Sequence, residues 1–346
     1  WDALWAYMVE GGPENSSNFL LYAQSILNNG ERPDPPKPLL KAGLYWPGVG
    51  IADMQTLHKS WTKNAPIVPI TFYRALVQGA GLHPINRLIK ALIHRGLNPM
   101  PIFVASLKDP LSVATLESFF IDSPPDVILN CTSFAVGSPD QSVPNSGVNN
   151  PLIMKAAQRA PVFQVVLSGS SEATWEEGLT GLSARDIAMN VALPEVDGRV
   201  LTRAISFKSE VFFDEATECP ISSYRARGDR VEYVAELTKN WAKLRYTKST
   251  EKKVSLILAN YPNKDGRLAN GVGLDTPQAT VDMLKLLTDE GFHTKDLPAS
   301  SDNLMSLITA GPTNWLTDRT TRTGGQRMSL QKYLFAKHSQ IISLGR

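Results

Sequence analysis

The stretch "ANYPNKDGRLANGVGLDTPQATVDMLKLL" (259–287) places Asp265, Arg267, Gly271 and Gly273 between an apolar run and a helical pattern. Strand-to-helix loops of this kind are where α/β proteins hold ligands. The standard phosphate cradles do not fit. A P-loop needs Lys followed by Ser or Thr at the helix mouth; here the mouth reads "GLDTPQ", and Asp275 would repel phosphate. A dinucleotide fingerprint needs three glycines in a tight turn, and Tyr261 to Leu274 is too long and too charged. Two readings remain for Arg267: a bidentate grip on a ligand carboxylate, or a minor surface pair with Asp265. Asp275 reads as a helix cap.

A second constellation is "VALPEVDG" (191–198), with Glu195 just after Pro194 and Asp197 two residues on. A helix capped by Ser183 is expected to end at Pro194, because the residue before proline is pushed out of the helical region. A free carboxylate at Glu195 can take a proton or offer oxygen to a divalent cation; the plain alternative is a carboxylate that satisfies backbone donors or an arginine. Asp197 reads first as an Asx-turn before Gly198. Tyr73 and Arg74 close the strand-like "PITFY", at the edge where open sheets bind ligands. Ser168 opens "SGSSEATWEEG", whose serines and amides suit a carboxylate at a helix start, or simply an N-cap near Ser171. The histidines at 58, 83, 94, 293 and 338 show no mutual metal spacing, and Cys131 and Cys219 make no metal pair or disulfide framework.

These residues need elements to position them. Strand-like runs "KAGLYWP", "PIVPITFY", "NPMPIFVAS", "PDVILNCT" and "PVFQVVLS" alternate with helical patterns such as "INRLIKALIHRG" and "DPLSVATLESFF". That alternation predicts an α/β protein with an open, doubly wound parallel sheet. Residues 1–36 form an N-terminal helical segment, broken at Gly11-Gly12-Pro13 and capped again at Asn15 or Ser16, with a Pro-rich linker. Residues 37–167 form the first α/β domain, with Pro66, Pro69 and Pro101 expected at strand starts or edges. Residues 168–250 form a less regular middle block ending in the amphipathic helix "RVEYVAELTKNWAKLRYTK". Residues 251–346 begin a second, truncated, Rossmann-like parallel-sheet unit near Val254. The polar "VGSPDQSVPNSGVNNP" reads as a surface loop.

The 346 residues carry 35 basic and 33 acidic side chains, for a net charge of +2. No basic run marks a nucleic-acid binder, and no apolar stretch is long enough to span a bilayer. A reducing, cytoplasmic setting is the default expectation. The chain starts without Met and stops inside the helical pattern "QKYLFAKHSQIISLGR", which suggests a piece of a longer polypeptide.

Four blocks, in order, resemble one family. They are "LWAYMVEGGPENSSNFLLYA", "PITFYRALVQGAGLHPINRLIKALIHRGLNPMPIFVASLKDP", "GLSARDIAMNVALPEVDGRVLTRAISFK" and the glycine-loop block above. They are similar to the large subunit of aerobic cobaltochelatase and to its homologue, the H subunit of magnesium chelatase. "NYPNKDGRLANGVGLDTP" and "SFAVGSPD" favour the cobalt branch. The large subunits of that family are several times longer, so the resemblance implies a fragment from the amino-terminal half.

The resemblance implies insertion of Co²⁺, as substrate, into a hydrogenobyrinic acid a,c-diamide-type macrocycle in aerobic cobalamin biosynthesis. ATP and Mg²⁺ would sit on separate AAA-type motor subunits, and this chain alone is expected to show no ATPase activity. The magnesium branch would act on protoporphyrin IX instead. Such chemistry must grip a tetrapyrrole, match its acidic arms with cations, strip water from the metal and remove inner N–H protons. On the resemblance, Glu195 is the candidate acid–base group and a transient metal ligand, with Asp197 beside it. Tyr73, Arg74, Ser168, Asp265, Arg267, Gly271 and Gly273 are the candidate tetrapyrrole contacts. Two other classes stay open: a non-catalytic module for a nucleotide or sugar, and a structural piece that only contacts the motor subunits.

Overall fold

Val68, Ile70 and Phe72 are fully buried on one face of a strand whose other face carries buried Thr71. A strand buried on both faces belongs in the middle of a covered parallel sheet. In the computed structural model, which describes residues 1–79, 81–137, 150–261, 265–313, 317–318, 320–324 and 328–335, that is where it lies. The strands are β1 (Ala42–Trp46), β2 (Gly50–Ala52), β3 (Ile67–Tyr73), β4 (Asn98–Val104), β5 (Ile128–Asn130), β6 (Val162–Ser168), β7 (Val200–Asp214) and β8 (Cys219–Ala226). They form one sheet in the order β2-β1-β4-β3-β5-β6-β7-β8. From β4 to β7 the pairing is parallel; β1 runs antiparallel to β2 and β4, and β8 antiparallel to β7.

The helices are α1 (Asp2–Glu10), α2 (Pro13–Asn28), α3 (Met54–Ser60), α4 (Ala75–Gln78), α5 (His83–Ile93), α6 (Pro110–Asp122), α7 (Glu172–Glu177), α8 (Ala184–Ile187), α9 (Leu193–Val196), α10 (Gly228–Tyr246), α11 (Thr276–Asp289) and α12 (Ser301–Thr309). One sheet face packs on Ile85, Leu88, Ile89 and Leu92 of α5 and on Val231, Val234 and Ala235 of α10. The other packs on Leu57 of α3 and Leu116 and Phe120 of α6. Spacings of three and four put these residues on one helix face. Each large apolar side chain so buried contributes about 2 kcal/mol. Asp109 caps α6 by accepting the amide of Ser112 at 2.9 Å, with Pro110 in the first turn, as the sequence predicts.

The chain makes two compact units, residues 1–242 and 243–346. Three expectations change within the first. The stretch read as a less regular middle supplies β7 and β8, because β7 pairs with β6 and so extends the same sheet. Pro69 sits in a strand paired on both sides. The amide of Arg74 reaches Val104 toward β4, while that of Ile67 reaches Asp126 on the β5 side. By alternation, the missing N–H of Pro69 lies on the β5 side, where the ladder starts only at Ile70↔Leu129. At the N-terminus the cap of α2 is Gly12, with φ 88° and Pro13 following. Asn15 instead is buried and ties down the linker, exchanging hydrogen bonds with the Lys37 backbone at 2.8 and 2.9 Å.

In the second unit, α11 forms as periodicity suggests and α12 follows it, but no named strand occurs among the described residues. The expected strand at Val254 has only the isolated bridge Asn260↔Leu268 near its end. Val254 is 52% and Ile257 93% exposed: a strand pattern without a paired neighbour leaves its apolar side chains in water. Most of the loop 136–151 and the final helical pattern lie outside the described residues.

Candidate functional site

The chain leaves β3 through α5 to β4 on one side, then returns across β3 through α6 to β5 on the other. That reversal opens a crevice outside the carboxyl ends of β3 and β5, the place where open α/β sheets take ligands. Tyr73 ends β3 and spans the crevice: its hydroxyl donates to the Ser133 carbonyl at 3.0 Å and accepts the Ser133 amide at 3.1 Å. Burial raises its pKa, although the bonds to Ser133 and the nearby Arg199 act the other way.

Two cavities meet here, of about 290 Å³ and 450 Å³, sharing Ser133, Leu167, Lys208 and Tyr224. β7 and β8 run on past the end of β6, where Ser168 pairs with Phe207 and Lys208 with Tyr224, and so form one wall. The opposite side of the larger cavity comes from the segment 183–190.

Asp186, on α8, organises that side. It is 5% exposed and accepts from the hydroxyls of Ser168 (2.8 Å), Ser183 (3.0 Å) and Ser170 (3.1 Å), the amide of Gly169 (3.1 Å) and the side chain of Asn190 (3.2 Å). Burial alone would raise its pKa; the Gly169 amide and the three serine hydroxyls outweigh burial and hold it below the ordinary carboxylate range. The serine loop thus does hold a carboxylate, but one of this chain's own, and Ser168 is taken up in doing so. Ser171 caps α7, accepting the amide of Thr174 at 3.1 Å.

Asn190 links this cluster to the crevice by accepting the Ser133 hydroxyl at 2.6 Å. Beneath lies a buried polar chain across the sheet. Thr71 donates to Asn130 at 2.7 Å, Asn130 to Gln164 at 2.8 Å, and Arg199 approaches Gln164 at 3.5 Å. Such groups stay in a core only when paired.

The helix bearing Glu195 does not stop at Pro194. A π-helical turn, Ala188–Ala192, joins α8 to α9, and Pro194 enters α9 in its first turn. Proline is tolerated at a helix start because its missing N–H would lack an intrahelical partner there. Glu195 lies exposed on α9, makes no side-chain hydrogen bond among the described residues, and lines neither cavity. Asp197 is placed quite differently. It pairs with Arg199 at 2.6 Å, with side chains 2% and 1% exposed. It also accepts the amides of Val136 and Gly137, both at 2.8 Å, rather than closing a local Asx-turn. Burial lowers the Arg199 pKa against the attraction of Asp197.

Arg74 turns away from the crevice and pairs with Glu10 of α1 at 3.5 Å. In the second unit, Asp265 accepts from Thr313 and Arg322, which together hold its pKa down, and so is not the partner of Arg267. Arg267 is exposed, with no ion pair among the described residues. Gly273 has φ 73°, and a Cβ on Gly271 would lie 2.6 Å from the Thr276 hydroxyl. Asp275 caps α11 through the amide of Gln278 at 3.0 Å. Within the first unit the sequence-predicted residues therefore do not form one cluster. Tyr73 lines the crevice, Ser168 and Asp197 brace its surroundings, Arg74 ties down α1, and the glycine loop belongs to the other unit.

Sequence reasoning missed Asp186, Lys208, Arg185 and Tyr224. Asp186 was visible only as S-x-x-D, a cap signature, with Arg185 beside it; Lys208 and Tyr224 needed the β7–β8 hairpin, whose pairing no periodicity announced. Among the described residues no group of three or more His, Cys, Asp or Glu could hold a metal ion, and no helix is long and apolar enough to cross a membrane. His338 lies outside the described residues.

The CobN/Magnesium Chelatase family model matches residues 5–339. An aerobic cobaltochelatase subunit CobN from Sinorhizobium sp is 45% identical over 339 residues, covering 95% of this chain and 26% of that protein. Another from Pseudomonas aeruginosa is 36% identical, covering 96% and 26%. A solved structure, the catalytic subunit of cobaltochelatase from Mycobacterium tuberculosis, superposes with a TM-score of 0.69 at 26% identity, over 89% of this chain and 25% of that one. The chain thus spans about a quarter of the length of the relatives it matches.

Proposed function

Because the chain belongs to the CobN/magnesium chelatase family, we propose that it is a tetrapyrrole-binding part of the large subunit of an ATP-dependent cobaltochelatase. The subunit inserts Co²⁺, its substrate metal, into a hydrogenobyrinic acid a,c-diamide-type macrocycle in aerobic cobalamin biosynthesis. The observation that carries this reading is the match along nearly the whole chain to subunits named for cobalt insertion. The crevice at the strand-order reversal supports it, with a tyrosine across its mouth and apolar and cationic walls.

Glu195 is the proton acceptor for the inner N–H groups, since its side chain is exposed and meets no donor among the described residues. ATP and Mg²⁺ are handled by AAA-type partner subunits, because no stretch of the sequence has the G-x-x-x-x-G-K-[ST] pattern of a phosphate cradle.

The test is a titration of the full-length subunit with hydrogenobyrinic acid a,c-diamide and with protoporphyrin IX, followed by the ring's main absorption band. Cobalt insertion is then assayed with the motor subunits and ATP. Tighter binding of the corrinoid and cobalt-dependent turnover are expected. Preference for protoporphyrin IX with Mg²⁺ insertion moves the protein to the other branch, and absence of binding to either ring ends the reading.

A further inference from the structure

Among the described residues Asp186 is the one acidic residue lining the two cavities at the carboxyl edge of the sheet, and five donors already surround it. The two cations there stand otherwise. Lys208 lines both cavities and Arg185 the larger; both are exposed, and neither forms an ion pair among the described residues. Lys208 is set in place from both sides: its amide donates to the Ser170 carbonyl at 3.0 Å, and across the hairpin it pairs with Tyr224. Arg185 follows Ser183, the cap that Asp186 locks. The larger cavity is also lined by Leu167, Met189 and the ring of Tyr224. The opening therefore presents two cations without ion-pair partners among the described residues, beside a few apolar side chains.

We propose that this crevice is a carboxylate subsite, in which Lys208 and Arg185 bind the acidic arm of an amphiphilic, ring-bearing ligand whose apolar body lies along Leu167, Met189 and Tyr224. A fixed guanidinium meets a carboxylate through two N–H donors, and a lysine adds a point charge. The Ser170 hydroxyl already donates to Asp186, so selection rests on the cations rather than on the serines. The proposal rests on the cobaltochelatase reading for the ring's identity, but not for the carboxylate chemistry.

The experiment uses the full-length subunit, as wild type and as Lys208→Gln, Arg185→Gln and the double variant. Each is titrated with hydrogenobyrinic acid a,c-diamide and with its fully methyl-esterified form. Each single variant is expected to bind the acid roughly tenfold more weakly, the scale of one charge-assisted hydrogen bond, and the double variant more weakly still. Ester affinity should be the same in all four proteins, and the salt dependence of acid binding should fall. Equal acid affinity in wild type and double variant overturns the subsite while leaving the family reading intact. If wild type binds neither form of the ring, the cobaltochelatase reading fails, and the subsite is judged by naphthalene-2-carboxylate in ligand-observed NMR. Saturable binding that the double variant loses supports it; no saturable binding overturns it. Both side chains are exposed, so thermal unfolding of the variants should match wild type and exclude misfolding as the cause.

Discussion

Replacing Asp197 with Asn should destabilise the chain more than almost any other single polar substitution in it. The carboxylate and its partner Arg199 are 2% and 1% exposed, 2.6 Å apart. Removing one member leaves the other buried without a counter-charge, which costs about 3–5 kcal/mol. Arg199 has little to fall back on: its contact with Gln164 is 3.5 Å long, and its Nε is buried without a partner. The new amide NH₂ would also face either a backbone N–H at 136–137 or the guanidinium, donor against donor. The converse change is milder. In Arg199→Met, Asp197 keeps two amides at 2.8 Å each, so the loss should be about 2 kcal/mol. Asp197→Asn combined with Arg199→Met should then be more stable than Asp197→Asn alone, with a coupling of about 2 kcal/mol or more. Urea unfolding of the four proteins measures the cycle, and hydrogen exchange at Val136 and Gly137 reports the local effect. A cost below about 1 kcal/mol for Asp197→Asn, or additivity within about 0.5 kcal/mol, would refute a desolvated pair at this position.

Three further outcomes are expected. Glu195→Gln in the full-length subunit should leave macrocycle affinity and stability near normal while slowing cobalt insertion by a factor of about a hundred or more; normal turnover removes Glu195 from the chemistry. Asp186 has a folded-state pKa below its ordinary value of 3.8. Its contribution is therefore fully present above that value and is lost as pH falls through the lowered one. Asp186→Asn should accordingly flatten the acid limb of a stability–pH curve, and an unchanged limb would contradict the five-donor arrangement. On the glycine loop, Arg267→Ala should shift stability by less than about 0.5 kcal/mol, as for an exposed side chain without a partner. Gly271→Val must displace the Thr276 hydroxyl and should lower the melting temperature; if it melts like wild type, the close approach is relieved at no cost.

The parallel core was legible because buried strands read as short apolar runs between helical patterns, and "PIVPITFY", "NPMPIFVAS" and "PVFQVVLS" became β3, β4 and β6. The hairpin β7–β8 was not. Its residues Phe212, Phe213 and Ile221 are exposed, so the alternation that marks a half-buried strand is blurred along its outer half. Pro194 misled because a local rule assumed a regular α-helix before it, whereas a π turn precedes it. Val254 misled in the opposite sense: its run has the composition of a strand, but a strand also needs a neighbour. Of the site, Tyr73 was found by the rule that strand ends hold ligands. Lys208 could not be, since it lies mid-strand in β7 and reaches the crevice only because β6 ends beside Phe207.

The block from Gly181 to Lys208 contains three carboxylates, and the fold treats them unequally. Asp186 meets five donors and Asp197 meets an arginine and two amides. A base must have a lone pair open to the proton it accepts, and neither of these has one without breaking the frame around it. Glu195 is the third, exposed at the end of the helical run that those two carboxylates bracket and hold. On this argument the block works as a mount: two acids fix the helix, and the remaining acid is presented outward. That division makes a prediction distinct from simple loss of function. Asp186→Asn and Asp197→Asn should lower activity and stability together, with activity partly restored by cooling or a stabilising ligand. Glu195→Gln should lower activity alone, at every temperature where the protein stays folded. Parallel loss of stability in all three, or rescue of Glu195→Gln by cooling, would mean that the outward carboxylate is one more brace.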